Sequence, residues 1–335
     1  MNTITLHSPL DMHVHFRQAD MLRLVAPQTA QFFAGAVVMP NLVPPVTSIE
    51  ALNNYTIEVQ DAVSPYPFTP YMTLFFRDYT QAELEEARNM IIGIKLYPAG
   101  ATTNSEAGVR EITAMDATFR TMQDLDIPLL VHGETHGFVM DREREFGDIY
   151  RYLARTYPRL RIIMEHITTR DSVMLLDEYE NLYATITVHH LLITLDDVVG
   201  GLMNPHLFCK PIAKKPEDRD ALLQAALDAH PKVMFGSDSA PHPRRSKESP
   251  GCAAGVFTAP IALPLLASLF HKHGAASNLQ AFVSNNAQTI YRITPPATTI
   301  TLAEKAITIP KHSGTVIPMW AGKKLDWSVA QSVVI

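Results

Sequence analysis

The chain has 335 residues and a mass of 37.2 kDa; it is 47% apolar and 19% charged with a net charge of −6, the balance of a folded protein able to bury a core. It lacks the basic stripe of a nucleic-acid binder, an apolar run of the roughly 20 residues that span a bilayer, and the basic and apolar regions of a secretory signal in its start MNTITLHSPLD. Two cysteines, Cys209 and Cys252, do not suggest a disulfide scaffold, so the composition predicts a soluble cytoplasmic protein with no nucleic-acid or membrane partner.

Short apolar runs predict strands at 6–11, 36–39, 71–75, 93–97, 128–132, 161–165, 182–188 and 232–236. Helical patterns separate them. Thr80 caps a helix over 81–92 whose first turn is acidic. Others follow at 106–126, 142–157, 170–180 and 216–229, the last with Pro216 in its first turn. After the eighth strand, 256–272 reads as an apolar helix that Pro260 and Pro264 kink or delay. Continuous apolar strands alternating with helices argue for a buried parallel sheet. Eight such units fit a (β/α)8 TIM barrel, for which about 250 residues is typical. An open doubly wound sheet would favour a glycine-rich turn after the first strand, but that strand runs into DMHVHFRQ. No repeat or linker divides the chain. It is therefore expected to form a single domain over 1–335, with an irregular C-terminal tail from about 294 that holds short β-like pieces such as 306–309.

The histidines, 14 in all, are in excess, and several share one kind of place with other polar residues. Strand one ends in His13, His15 and Arg17, strand two in Asn41, strand five in His132, strand six in His166 and strand eight in Asp238, while Lys95 lies in strand four. These strand ends form the mouth of a barrel, where barrel active sites lie. His13 and His15, two apart, face the same side of a strand. Each histidine alone has an ordinary structural reading, and Asp238 alone could cap a turn. Together, four imidazoles and a carboxylate at one mouth point to a bound metal, and the absence of thiolates favours a hydrolytic ion over an iron–sulfur centre. Lys95 stays open between three readings: a partner for an acid, a low-pKa base or nucleophile, and an amine that takes up carbon dioxide to give a carbamate able to bridge two metals.

That ordered set, His13-Val14-His15, Lys95, His132, His166 and Asp238, resembles the amidohydrolase superfamily. The local motifs DMHVHFR, VVMPN, GIKLYPAGATTN, LLVHGE, MEHITT, NPHLFCKPI and GSDSAPHPRRSKE are similar to the short-chain bacterial dihydroorotases, over about residues 5 to 327. The resemblance implies a binuclear zinc barrel that reversibly interconverts N-carbamoyl-L-aspartate and L-dihydroorotate in pyrimidine synthesis. It implies one zinc on His13, His15 and Asp238, another on His132 and His166, and a carboxylated Lys95 and a hydroxide bridging them. The hydroxide would be the nucleophile and Asp238 the general acid and base. Arg17, Asn41 and His242 would hold the substrate carboxylate; Arg17 offers a planar fork suited to it. His132, Lys210, Ala254 and Gly255 would also contact substrate, the last three at the ring, although the family carries an apolar residue where this chain has Lys210. Thr102 and Thr103 would lie on a loop that closes over substrate. The resemblance further implies a homodimer.

Other residues read as structural. His189 and His190 follow strand seven without an evident ligand role. Cys209 lacks an evident base partner and reads as a small buried hydrophobe. Glu134, two residues past His132, is placed to orient a metal ligand. The densest basic run, Arg244, Arg245 and Lys247, falls in a short loop. Two competing readings remain: an amidohydrolase of hydantoin or allantoin rings, against which Arg17 and Asn41 speak, and an inactive scaffold, which would be expected to lose ligand-competent residues.

Overall fold

Pro9 splits the first apolar run in two. The computed structural model describes residues 2–334. In it Thr3–His7 forms β1, Ser8 turns at φ 45°, and the first barrel strand, β2, is Leu10–Val14. The expected strand at 6–11 thus joins two separate elements. The other barrel strands are β3 (Gly35–Val38), β4 (Thr69–Phe75), β5 (Gly93–Leu96), β6 (Leu129–Val131), β7 (Ile162–Met164), β8 (Leu182–Ile186) and β9 (Val233–Phe235). They form one eight-stranded sheet in the order β2 to β9, every pair parallel. A parallel bridge between Val14 and Ser239 brings the two edges together, with Asp238 N–H donating to the His13 carbonyl at 2.8 Å and His15 N–H to that of Ser239 at 3.1 Å. The protein is a (β/α)8 TIM barrel.

The helices follow in alternation: α1 (Ala19–Ala30), α2 (Ile49–Val63), α3 (Gln81–Ala87), α4 (Asp116–Asp124), α5 (Arg142–Thr156), α6 (Arg170–Glu178), α7 (Leu195–Val199), α8 (Pro216–Leu227), α9 (Arg244–Lys247), α10 (Ala262–Lys272) and α11 (Asn286–Tyr291). Thr80 caps α3 through a capping box with Glu83, as its position suggests, but the helix ends at Ala87. The helix expected from residue 106 begins at Asp116, because Val109 pairs with Pro98 in a strand-like bridge and Ile112–Met115 forms a 3-10 turn before it. The last begins at Ala262, since Val256 pairs with Ser239 in a strand-like bridge and Pro260 delays the first turn. Among the described residues no helix is long and apolar enough to cross a membrane.

Two apolar layers result. Leu10, Met12, Val37, Met39, Leu130, Ile163 and Met234 fill the barrel interior, which Ala287, Ile290 and Tyr291 close from below. The alternate strand residues, such as Val38, Leu96 and Val131, pack outward against the helices. The interior is therefore filled with apolar side chains up to the level of Lys95, which pairs in register with Leu130, and the catalytic-type polar residues lie above it.

The tail is more regular than expected, although the short β-like piece expected at 306–309 is present as a strand at Ile307–Thr308. Residues Thr298–Ala303 form β10, which pairs antiparallel with β1 and with β13 (Ser328–Val334); between them β11 (Ile307–Thr308) pairs with β12 (Lys324–Leu325). The alternation TITL in β1 and TTITL in β10 suits both to strand pairing, but the pairing joins segments nearly a chain length apart, which no local pattern reveals.

Candidate active site

Each polar side chain of the mouth is carried there by its strand. On β5, Ile94 and Leu96 join the outer core, so the intervening Lys95 points inward, where it is fully buried. On β2 the register against β3 shifts between Asp11 and Val14. Such a bulge re-aims side chains, here turning His13 and His15 together to the mouth. His166, Asp238 and Arg17 all take left-handed backbone, at φ 42°, 42° and 62°. Non-glycine residues in that region cost about 1–3 kcal/mol each and gather at functional sites.

The metal-ligand candidates converge. One ligand atom from each of His13, His15 and Asp238 lies within 4.8 Å of the others. His15 Nε2 is 3.0 Å and His13 Nε2 3.5 Å from Asp238 Oδ1. The His166 ring centroid is 4.9 Å from those of both His13 and His132. Each of three rings has its other nitrogen fixed by a partner: His13 Nδ1 by Glu165 Oε2 at 2.7 Å, His15 Nδ1 by Asn41 Oδ1 at 2.9 Å, and His132 Nε2 by Glu134 Oε2 at 2.8 Å. With the proton on the partnered nitrogen, the opposite lone pair faces the site, which is how metal-binding histidines are oriented.

Charge states agree with that arrangement. Burial lowers His13, and carries His15 and His166 well below the ordinary histidine value, so these rings are neutral at pH 7. Burial lowers Lys95 to about 8 and raises Asp238 against the pull of His13 and Lys95. Four buried atoms of this cluster have no hydrogen-bond partner: His13 Nε2, His166 Nδ1, Lys95 Nζ and Glu165 Oε1. A buried polar atom left unpaired costs about 1–3 kcal/mol. The two imidazole nitrogens among them offer lone pairs to a bound cation, which would complete them, whereas Lys95 could take part only after losing its proton.

Above this floor lies a narrow cleft lined by His15, Arg17, Asn41, Tyr97, Thr102, Thr103, His132, His166, Lys210, Asp238, Ala240, Ala254 and Gly255. The structure thus brings to one cleft nearly every residue singled out from the sequence. His13 and Lys95 lie beneath it. His242 sits behind its wall, Nε2 2.9 Å from the Ala254 carbonyl and 3.1 Å from Arg17 Nη2.

Three comparisons bear on this cleft. The family model described as "Amidohydrolase family" matches residues 9–305. A dihydroorotase of Helicobacter hepaticus is 45% identical over 98% of both chains. A crystal structure of dihydroorotase from Campylobacter jejuni superposes with a TM-score of 0.95 at 51% identity, covering 98% of each chain. The chain belongs to the amidohydrolase family, in its dihydroorotase branch. A dihydroorotase from Saccharomyces cerevisiae, solved in complex with 5-fluoroorotic acid, is similar at 35% identity and a TM-score of 0.92. The family is one of enzymes that hydrolyse amide bonds.

Against that background the remaining side chains fall into order. Asn41 is already engaged: its Oδ1 meets His15, and its Nδ2 donates to the Thr103 carbonyl at 3.0 Å. Asn104 Nδ2 returns a bond of 3.1 Å to the Asn41 carbonyl, so the loop carrying Thr102 and Thr103 is latched over the cleft. One Asn41 N–H is left to serve a ligand. Glu134 is where its spacing from His132 suggests. Cys209 does have an imidazole beside it, His190 Nε2 at 3.4 Å. Burial nevertheless pushes the thiol up to about 12 and His190 down to about 4, so the pair stays neutral and inert.

Sequence reasoning missed Glu165, whose Oε2 also accepts from Thr185 Oγ1 at 2.6 Å, and Asp11, whose Oδ1 accepts from Ser237 N–H at 2.7 Å. Both read as strand residues. An acid inside an apolar run, as in IIMEH, was the available signal. It also missed Tyr97, which lines the cleft with its hydroxyl buried and unpartnered.

Proposed function

We propose that the protein is a zinc-dependent dihydroorotase, interconverting N-carbamoyl-L-aspartate and L-dihydroorotate in pyrimidine synthesis. The observation that carries this reading is the cluster of unpartnered donor atoms on His13, His166 and Lys95 beside His15 and Asp238, set under a cleft rimmed by Arg17 and Asn41. His13, His15 and Asp238 would hold one ion, His132 and His166 a second, and Lys95, carboxylated, would bridge them. When bound, zinc supplies Lewis acidity, lowering the pKa of a water to about 7 and polarising a carbonyl.

The chain's own groups do the rest. Arg17 presents its guanidinium to the substrate carboxylate, with the free Asn41 N–H and His242 beside it. Asp238 takes the proton of the attacking water at Oδ and delivers it to the ring nitrogen as the carbon–nitrogen bond breaks. In ring closure it protonates the departing hydroxyl and accepts from the attacking amide nitrogen. The Thr102–Thr103 loop excludes bulk water, and Lys210, Ala254 and Gly255 frame the ring. Cytoplasmic location and a homodimer are part of the same proposal. The test is turnover of L-dihydroorotate against hydantoin and dihydrouracil, cyclic amides without the carboxylate. Turnover of dihydroorotate alone supports the reading; preference for a ring without a carboxylate overturns it.

A further inference from the structure

Of the basic run Arg244-Arg245-Lys247, only Lys247 is buried, at 3% exposure. Its Nζ donates to three main-chain carbonyls: Phe208 at 2.9 Å, Ala253 at 2.7 Å and Gly255 at 2.8 Å. An ammonium has three N–H donors, so all are used. Among the described residues it pairs with no carboxylate; the neighbouring Glu248 is taken by Arg244 at 2.8 Å and His206 at 3.0 Å. The run expected in a loop is the short helix α9, and there a buried cation balanced by carbonyl dipoles, with the Phe208 ring 5.8 Å away and no carboxylate, is an expensive arrangement.

The three carbonyls belong to the two backbone segments that make one wall of the cleft. Phe208 lies just before Lys210, and Ala253 and Gly255 flank Ala254. Gly255 N–H donates back to the Phe208 carbonyl at 2.9 Å, closing the two segments on each other. The Ala254 carbonyl lies 2.9 Å from His242 Nε2, and that ring lies against Arg17. Gly255 itself stands at φ 152°, where a Cβ would meet the Ala240 carbonyl at 2.4 Å. This wall has little freedom once tied, and Lys247, which does not line the cleft, is what ties it.

We propose that Lys247 is the positioning residue of the ring-binding wall: its ammonium fixes Phe208, Ala253 and Gly255 relative to one another and, through Ala254 and His242, sets the approach of Arg17 to the substrate carboxylate. The proposal rests on the dihydroorotase reading. These groups grip parts of the substrate that do not react, so they hold ground state and transition state alike. Loss of the tether therefore raises KM and spares kcat.

The test is steady-state dihydroorotate kinetics of the zinc-loaded wild type, Lys247→Met and Lys247→Arg, with metal content measured on each. Lys247→Met is expected to raise KM about tenfold with kcat within about threefold of wild type and metal content unchanged. Lys247→Arg keeps the charge, but its planar fork cannot reach all three carbonyls, so its KM is expected to rise about threefold. A folded Lys247→Met with wild-type KM overturns the proposal, as does a loss confined to kcat or to metal content. If Lys247→Met does not fold, Lys247→Arg decides alone, and wild-type KM there overturns it. Absence of turnover in the zinc-loaded wild type instead overturns the dihydroorotase reading beneath it.

Discussion

Glu165→Gln isolates the carboxylate behind His13. Its Oε2 lies 2.7 Å from His13 Nδ1 and 2.6 Å from Thr185 Oγ1, fully out of solvent. Burial pushes Glu165 upward, but His13, Lys95 and the two hydrogen bonds together outweigh it and hold the acid below its ordinary value, so it is ionised at pH 7. Glutamine keeps the volume and an acceptor oxygen and removes the charge. A hydrogen bond to a charged group is worth about 1.5–3 kcal/mol against about 0.5–1.5 for a neutral one, so roughly 1.5 kcal/mol of support for the basicity of His13 is lost. That corresponds to about tenfold in metal affinity, the lower end of what outer-shell substitutions of metal-binding histidines produce. Competition titration of the stripped protein against a zinc indicator reads this directly. An affinity within about twofold of wild type refutes the assignment of Glu165 as the group that orients His13.

Two further outcomes follow from the same geometry. Replacing Thr102 and Thr103 by Ala is expected to lower turnover about tenfold or more with metal content intact, because the loop only covers the cleft; unchanged turnover means that it is no lid. Lys95 must lose its proton before it can take up carbon dioxide, and a value lowered from 10.5 to about 8 makes the free amine available at lower pH. At fixed dissolved carbon dioxide, zinc reactivation of stripped protein should therefore speed about eightfold from pH 7 to 8.5 and level off above about 9. A rate still rising about tenfold from pH 8 to 9, rather than about twofold, would mean an unperturbed lysine.

The barrel was legible because eight short apolar runs alternate with helical patterns and five of them end in a polar residue, a pattern that a filled interior and an open mouth impose together. His13, His15, His132, His166 and Asp238 stood out as the polar ends of those runs. What escaped was whatever depends on contact between distant segments. Glu165 looked like one more strand residue until His13 was placed against it. Lys247 read as one of three loop charges, and only packing separates it from the exposed Arg244 and Arg245. The strand boundary at Pro9 was blurred because the apolar residues on both sides belong to different sheets. The left-handed backbone of His166 and Asp238 has no sequence mark at all, since neither is glycine.

The measurement closest to the central claim is dihydroorotate ring opening, followed by ultraviolet absorbance, before metal stripping, after it, and after zinc and bicarbonate are restored, with bound zinc counted at each stage. Activity is expected to vanish with the metal, to return as zinc approaches two ions per chain, and to fail to return in Lys95→Ala. Full activity in metal-free protein, or fully loaded protein inert toward dihydroorotate, would contradict it.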